Sequence, residues 1–292
     1  MSELVYLNGA LMPRSQARIS AFDHGLLYGC GLFETMRAYN GKIFLLERHL
    51  KRIAESARLI GLDKALSGID LGRACLDTLN ANKLKDARMR LTVTWGDAGP
   101  FPGGRKVDTA TVLVTAAAYT PLPSAVYEKG YSALISGFRR DSQSLLSELK
   151  STSYLLSVLA KREAEGAGVD EALLLNEHGA IAEGSISNVF FAAGDGLVTP
   201  TLGSGILPGI TREAVIALAT GSKIKVVEAE IGGEDLPRFD EAFLTNSVLE
   251  IMPLVAIRDR AGKTIVIGAG RPGKITRRLM SAYREMVARE TG

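Results

Sequence analysis

The sequence predicts two α/β domains, and three observations carry that expectation. The chain's 292 residues are enough for one large domain or two ordinary ones. Short strand-like runs alternate with amphipathic helical patterns along its whole length. The prolines of Thr120-Pro121-Leu122-Pro123 interrupt that alternation once, because they disfavour both continuous helix and central strand. A smaller domain over residues 1–120, a linker over 121–128 and a larger domain over 129–292 follow.

In the first domain, Leu4 to Leu7, the Asn8-Gly9 turn and the next apolar stretch read as a hairpin. Leu46, Leu50, Ile53, Ala57 and Ile60 line one helical face, which stops near Gly61. A second helix is predicted from Ile69 to Leu79. RMRLTVTW is the clearest strand, with Met89, Leu91, Val93 and Trp95 on one face and Arg88, Arg90, Thr92 and Thr94 on the other. The Gly- and Pro-rich loop GDAGPFPGG and the strand-like run ATVLVTA complete this domain.

The second domain opens with a predicted strand from Tyr131 to Phe138 and a helix from Tyr154 to Glu165. EALLLN, AIAEG and SNVFFA are short β-like runs, with turns at His178-Gly179 and Gly194-Asp195-Gly196. GITREAVIALA reads as a helix, KIKVVEAEI and EAFLTN as strands, and Thr276 to Glu290 as a closing amphipathic helix.

Composition excludes several classes of function. Hydrophobic residues at 46% and charged residues at 23% argue against disorder, collagen-like repeats and coiled coils. The net charge of +3 arises from 35 basic and 32 acidic residues spread along the chain, which disfavours nucleic acid as a partner. Cys30 and Cys75 with His24, His49 and His178 offer no zinc-type spacing, so no metal is expected. No apolar run approaches the roughly 18 residues of a membrane span, and MSELVYLNG lacks the pattern of a leader. A reducing, cytoplasmic location is the expectation.

Two short motifs fail on their chemistry. Gly268 to Lys274 follows the apolar run TIVIG and precedes a helix, as a phosphate-binding loop does. Ile275 stands where Ser or Thr must follow the lysine, and Pro272 removes a backbone donor. In Gly29-Cys30-Gly31 the third glycine of a dinucleotide fingerprint falls on Glu34. Two other residues are ambiguous alone. Lys150 is either a surface lysine or a partly desolvated amine able to form a Schiff base with a carbonyl cofactor. Glu183 ends an apolar run, where an acid is costly without a cationic partner.

FDHGLLYGCGLFETMRAYNG, LLERHLKRIAESARLIGL, ELKSTSYLLSVLAKREA, AIAEGSISNVFF, GILPGITREA and FLTNSVLEIMPL occur in this order along the chain. Together they resemble the class IV (fold-type IV) pyridoxal-phosphate enzymes, which include branched-chain aminotransferases, D-amino-acid aminotransferases and aminodeoxychorismate lyases. The resemblance implies two α/β domains with the active site at their junction, a pyridoxal 5'-phosphate cofactor, a small-molecule substrate and a homodimer. By the same resemblance Lys150 is the catalytic lysine that holds the cofactor, and Glu183 pairs with the pyridine nitrogen. Arg52 matches the arginine that grips the cofactor phosphate. Ile210 and Thr211 match backbone donors at a helix start, and Ser247, with Val248 beside it, matches the hydroxyl that closes the phosphate cup. Tyr154 stands towards the cofactor's phenolic oxygen, although branched-chain aminotransferases carry their tyrosine one place further from the lysine. Tyr28, Arg90 and Arg139 are assigned to the substrate side.

Within the family, Phe33-Glu34-Thr35-Met36-Arg37, Arg88-Met89-Arg90-Leu91 and Thr245-Asn246-Ser247-Val248-Leu249-Glu250 lean towards the aminodeoxychorismate lyases. Trp95 replaces the carboxylate-trapping arginine usual in D-amino-acid aminotransferases. The resemblance therefore implies a lyase that converts 4-amino-4-deoxychorismate into p-aminobenzoate and pyruvate. A branched-chain amino acid aminotransferase is the alternative and shares every cofactor residue.

Overall fold

Met89, Leu91 and Val93 are fully buried and Arg88 is exposed, so the alternation read from RMRLTVTW is the alternation of a sheet with one face against a core. The computed structural model describes residues 3–99 and 109–292, and the part of the Gly- and Pro-rich loop from Pro100 onward lies outside the described residues. The chain divides into two compact units, the first comprising Met1–Thr120, Leu149–Ser153 and Arg289–Gly292, the second Pro121–Glu148 and Tyr154–Ala288.

The first unit carries β1 (Leu4–Leu7), β2 (Ala10–Pro13), β3 (Gly31–Tyr39), β4 (Lys42–Ile43), β5 (Ala87–Thr94) and β6 (Thr111–Ala118). These form a six-stranded antiparallel sheet in the order β2-β1-β6-β5-β3-β4. Its helices are α1 (His24–Tyr28), α2 (Leu46–Leu59), α3 (Asp63–Leu66) and α4 (Leu71–Ala81). Leu32, Met36 and Ala38 of β3 pack with Met89, Leu91 and Val93 of β5 against Ile53 and Ala57 of α2 and Ala74, Cys75 and Leu79 of α4. Burial pushes the Cys75 thiol up to about 12, so this cysteine behaves as the small core hydrophobe its setting suggests.

The sequence reading leaves β3 unassigned, although it is a central strand of this sheet. Its core-facing side carries Glu34 as well as Leu32, Met36 and Ala38, and Arg37 is buried on the opposite side, so period-two alternation is masked. Leu149–Ser153 packs with this unit, whereas the sequence reading counts Lys150 in the second domain. The physical reason lies in β4. Its two residues pair only with Ala38 and Tyr39, which leaves the other end of the β3 edge open for the Lys150 strip.

The second unit begins with α5 (Ser124–Lys129), inside the stretch expected to be a linker, because Pro123 at φ −56° leads into a helix rather than blocking one. It continues with β7 (Tyr131–Arg139), α6 (Leu145–Glu148), α7 (Leu155–Gly166), β8 (Glu171–Leu175), β9 (Ile181–Gly184), β10 (Asn188–Ala193) and β11 (Gly196–Thr199). Then come α8 (Ile210–Gly221), β12 (Lys225–Glu228), β13 (Glu241–Asn246), β14 (Glu250–Arg258), β15 (Thr264–Val266) and α9 (Lys274–Thr291). The nine strands form one mixed sheet in the order β12-β11-β10-β13-β14-β7-β8-β9, with β15 on β14. Every residue of β8 is buried, because Ala172 and Leu174 face α7 while Leu173 and Leu175 face the main core.

The glycine-rich turn before α9 is structural. Ile275 and Thr276 donate their N–H groups to the Glu241 carboxylate at 3.0 and 2.7 Å, so an acidic side chain holds this helix start. Among the described residues no helix is long and apolar enough to cross a membrane, and no cluster of metal-ligating residues occurs.

Asp23 ties the first unit together around α1. Its carboxylate accepts from the Gly25 N–H at 2.7 Å and from the hydroxyls of Thr94 and Thr111 at 2.8 and 2.7 Å, while only 1% exposed. Replacing it leaves two part-buried hydroxyls and a helix donor without their acceptor. Asp23→Ala is expected to lower stability by about 2–3 kcal/mol, read from the shift of the urea midpoint. An unchanged midpoint would show that water replaces the carboxylate without loss.

Candidate active site

In the first unit the site is built on the open half of the β3 edge. Phe33 donates its N–H to the Lys150 carbonyl at 2.9 Å, Thr152 donates to the Gly31 carbonyl at 2.8 Å, and Leu32 and Ser151 pair antiparallel between them. Gly31 permits this approach, since a Cβ there would lie 2.8 Å from the Val93 carbonyl and 3.0 Å from the Thr152 hydroxyl. Lys150 is thus fixed by backbone pairing rather than left on a loop, and its amine lies 4.5 Å from the centre of the Phe33 ring. The Arg90 guanidinium carbon lies 3.7 Å from the same ring centre, with Nε donating to the Thr92 hydroxyl at 3.2 Å. Tyr28 ends α1, half exposed, with its ring edge-on to His24.

One residue after Phe33, the Glu34 side chain turns to the opposite face of β3, towards α2. Both its oxygens are taken by Arg52, from Nε at 2.7 Å and Nη2 at 2.6 Å, and His49 Nδ1 lies 2.7 Å from Oε2. Burial works to raise the Glu34 carboxyl, but the Arg52 charge and the hydrogen bonds from His49 and Arg52 outweigh it and hold the acid at about 2. For His49 burial dominates and pushes the imidazole down despite Glu34, with the charges of Arg52 and Lys150 acting in the same direction as burial. A neutral imidazole here donates through Nδ1.

In the second unit Glu183 lies on β9, buried and held by its neighbours. Arg140 Nη2 is 3.2 Å from Oε1, while Asn188 Nδ2 and the Leu207 N–H donate to Oε2 at 3.2 and 3.0 Å. Arg140 is itself fixed by the carbonyls of Gly205 and Ser147. Here is the cationic partner an acid on an apolar run requires. Asn188 also donates to the Leu207 carbonyl at 3.0 Å, and a Cβ on Gly209 would fall 1.9 Å from Asn188 Oδ1. The chain entering α8 is therefore seated on the same residue that supports Glu183. Ile210 and Thr211 open α8 with Gly209 at its N-cap and no side-chain cap, so this helix start differs from the Glu241-held start of α9.

Tyr154 lies beside this group, its hydroxyl 3.5 Å from the Ser185 carbonyl. Burial raises the Tyr154 phenol, and the carboxylates of Glu183 and Glu171 add to the effect against the Ser157 hydrogen bond, so it stays protonated near neutral pH. Glu171 accepts from the hydroxyls of Ser185 and Ser187 and sets the turn between β9 and β10. Ser247 lies half-buried in the turn after β13, whose Thr245 pairs with Asn188. The Val248 N–H donates to Asn246 Oδ1 at 2.9 Å, as does Leu249 at 2.7 Å. Thr245 Oγ1 is buried with no hydrogen-bond partner among the described residues.

Two placements alter the reading from sequence. Arg139 is exposed and donates to the Asn176 carbonyl at 2.7 Å, and its neighbour Arg140 is the arginine that meets Glu183. The Glu34–His49–Arg52 trio is not readable from the sequence, because an acid on β3 and a base on α2 show their pairing only once the strand is placed. The Arg139-Arg140 pair at the end of β7 was the available signal, since only one of two successive side chains can follow the sheet face of Glu183.

Residues 31–257 match the amino-transferase class IV family. A Methanocaldococcus jannaschii protein provisionally named branched-chain-amino-acid aminotransferase is 40% identical over 285 residues, covering 97% of this chain and 96% of its own. The aminodeoxychorismate lyase of Bacillus subtilis is 35% identical over 258 residues, covering 88% and 87% respectively. The branched-chain amino acid aminotransferase of Thermobaculum terrenum, solved in its PLP-bound holo-form, is similar with a TM-score of 0.84 at 29% identity, covering 98% of this chain and 94% of that one.

The depressed Glu34 acid has a pH signature. Its folded value of about 2 lies below the ordinary 4.5, so its stabilisation is complete above that ordinary value and is lost as pH falls towards 2. Urea midpoints measured from pH 6 down to about pH 2.5 are expected to fall less steeply for Glu34→Gln than for the natural chain. Parallel acid limbs would contradict the assignment.

Proposed function

Because this chain belongs to the class IV aminotransferase family, we propose that it is a pyridoxal-phosphate-dependent transaminase of branched-chain amino acids. The observation that carries the substrate class is the 40% identity, over nearly the whole of both chains, to a relative provisionally named for that activity. The lyase favoured by the motifs is the second reading, supported by the 35% identity to an aminodeoxychorismate lyase and by the FETMR and TNSVLE segments.

The side chains fit the cofactor. A lysine amine held beside an aromatic ring suits covalent capture of an aldehyde. A buried, arginine-paired carboxylate suits a protonated pyridine nitrogen. A helix start without a side-chain cap, a half-buried serine and a Thr245 hydroxyl with no hydrogen-bond partner among the described residues suit a phosphate. Bound there, pyridoxal phosphate supplies a carbonyl for the substrate amine and a ring that accepts electrons from the α-carbon.

Lys150 Nζ, as a neutral amine, takes the proton from the substrate α-carbon and delivers it again on the way to the keto acid. Its backbone pairing with β3 keeps that amine in place through both transfers. Glu183 keeps a negative charge facing its partner, and Arg140 balances that charge from behind. Tyr154 presents a protonated hydroxyl as donor. By the family resemblance, Arg52, Ile210, Thr211 and Ser247 would hold the phosphate, and Arg90, with Tyr28, would receive the substrate carboxylate. Arg139 is given none of these roles in this reading, in keeping with its exposure and its bond to the Asn176 carbonyl.

We further propose a homodimer. Phe22, Leu26 and Leu27 in the first unit are 68%, 70% and 48% exposed, and Leu145, Leu146 and Leu155 in the second are 48%, 55% and 68% exposed. Apolar groups this open suit burial by a second copy.

Three measurements test these readings. With leucine and 2-oxoglutarate, the cofactor-loaded protein is expected to form glutamate and, given aminodeoxychorismate, to release little p-aminobenzoate. The reverse outcome would select the lyase. Lys150→Ala is expected to lower turnover by about 10²–10⁴-fold or more under either reading, and full activity in that variant would reject the site. Light scattering on the eluting protein is expected to give twice the mass of one chain, and a monomer at micromolar concentration would reject the dimer.

A further inference from the structure

Glu34 is a charge placed where packing has no use for one. It is 1% exposed, on the face of β3 that carries Leu32, Met36 and Ala38 into the core, opposite Ile53 and Ala57 of α2. A buried ion pair of this kind is often no more stabilising than apolar side chains of the same volume, because desolvation offsets the attraction. Stability alone therefore does not account for an acid at this position.

The bonding pattern supplies another role. Glu34 engages Arg52 side-on, through Nε and Nη2, with one carboxylate oxygen for each. The guanidinium is planar and rigid, so this grip fixes its plane and directs the edge formed by Nη1 and Nη2 away from Glu34. His49, three residues before Arg52 on α2, reaches the same Oε2 that accepts from Nη2. The carboxylate is thereby held from two points of one helix, and its own rotation is blocked. A lone arginine side chain would lose up to about 2 kcal/mol of rotamer freedom on gripping an anion, and here most of that ordering is already complete.

We propose that Glu34, braced by His49, is a positioning residue that sets the Arg52 guanidinium for the phosphate group of the cofactor. This rests on the reading of Arg52 as a phosphate ligand. The proposal makes a claim whose sign is opposite to that of simple electrostatics. Glu34 is an anion beside an anion site, so on charge alone its removal strengthens phosphate binding. If its work is to orient Arg52, its removal weakens phosphate binding and leaves the rest of the cofactor's affinity untouched.

The test compares equilibrium binding of pyridoxal 5'-phosphate and of pyridoxal, which lacks the phosphate, to the cofactor-free protein, followed by absorbance and fluorescence. Glu34→Gln is expected to weaken pyridoxal 5'-phosphate by about ten- to a hundredfold while changing pyridoxal by less than about twofold. His49→Ala, which leaves the ion pair in place, is expected to show a smaller loss with the same selectivity, and it serves if Glu34→Gln does not fold. Unchanged or tighter binding of pyridoxal 5'-phosphate in both variants would overturn the proposal, as would equal losses for the two ligands. Arg52→Ala separates this proposal from the reading beneath it. If that variant loses the preference for the phosphorylated ligand and Glu34→Gln keeps it, only the role of Glu34 falls. If Arg52→Ala keeps the preference, Arg52 is not the phosphate ligand and both fall.

Discussion

The backbone pairing between Phe33 and Lys150 is the constraint on which the role proposed for Lys150 depends. A catalytic lysine on a mobile connection would lose its orientation with every fluctuation of that connection. Here β4 stops after two residues, which leaves the beginning of β3 with unpaired backbone groups, and Leu149–Ser153 satisfies them. The strip thereby inherits the rigidity of a strand whose other edge is bonded along its length to β5. Gly31 allows the approach, and Phe33 provides both the backbone donor and the ring beside the amine. A few residues of one strand thus place a lysine on one face and, through Glu34, an arginine on the other.

The second unit uses a different device, a polar frame in place of strand pairing. Asn188 contacts Glu183 and the Leu207 carbonyl, and Leu207 donates back to Glu183. The acid on β9 and the start of α8 are therefore parts of one connected group, in which each buried polar atom has a partner. Arg140, fixed by the carbonyls of Gly205 and Ser147, compensates the charge from Nη2 at Oε1. In such a group the loss of one member leaves a neighbour's polar atom buried and unpaired, a cost that an apolar neighbour would not impose.

Much of this was legible in the sequence where side-chain periodicity follows burial. Arg88 to Thr94 alternates because one face meets the core and the other does not, and α2 follows its apolar stripe for the same reason. β3 was illegible because Glu34 is buried where the pattern requires a hydrophobe, and Arg37 is buried on the other face. β14 contains Pro253, a residue that argues against an interior strand, and the pairing of β14 with β7 shifts register just beyond it. α5 was hidden by Pro123, which precedes the helix and so does not interrupt it. Lys150, Glu183 and Arg52 are assigned from family resemblance alone, since no spacing rule distinguishes them from ordinary polar residues. Arg140, His49 and Glu34 show their pairings with Glu183 and Arg52 only in the fold.

The family and its cofactor follow from similarity across nearly the whole chain, while the choice between transamination and elimination rests on residues that touch the substrate. Beneath both stands the claim that Lys150, strapped to β3, is the amine that carries the cofactor. Borohydride reduction of the pyridoxal-phosphate-loaded protein, followed by peptide mass mapping, tests it most directly, because reduction fixes the label on whichever lysine holds it. The account predicts a single pyridoxyl-phosphate label on the peptide containing Lys150. A label on another lysine, or one spread over several, would contradict it.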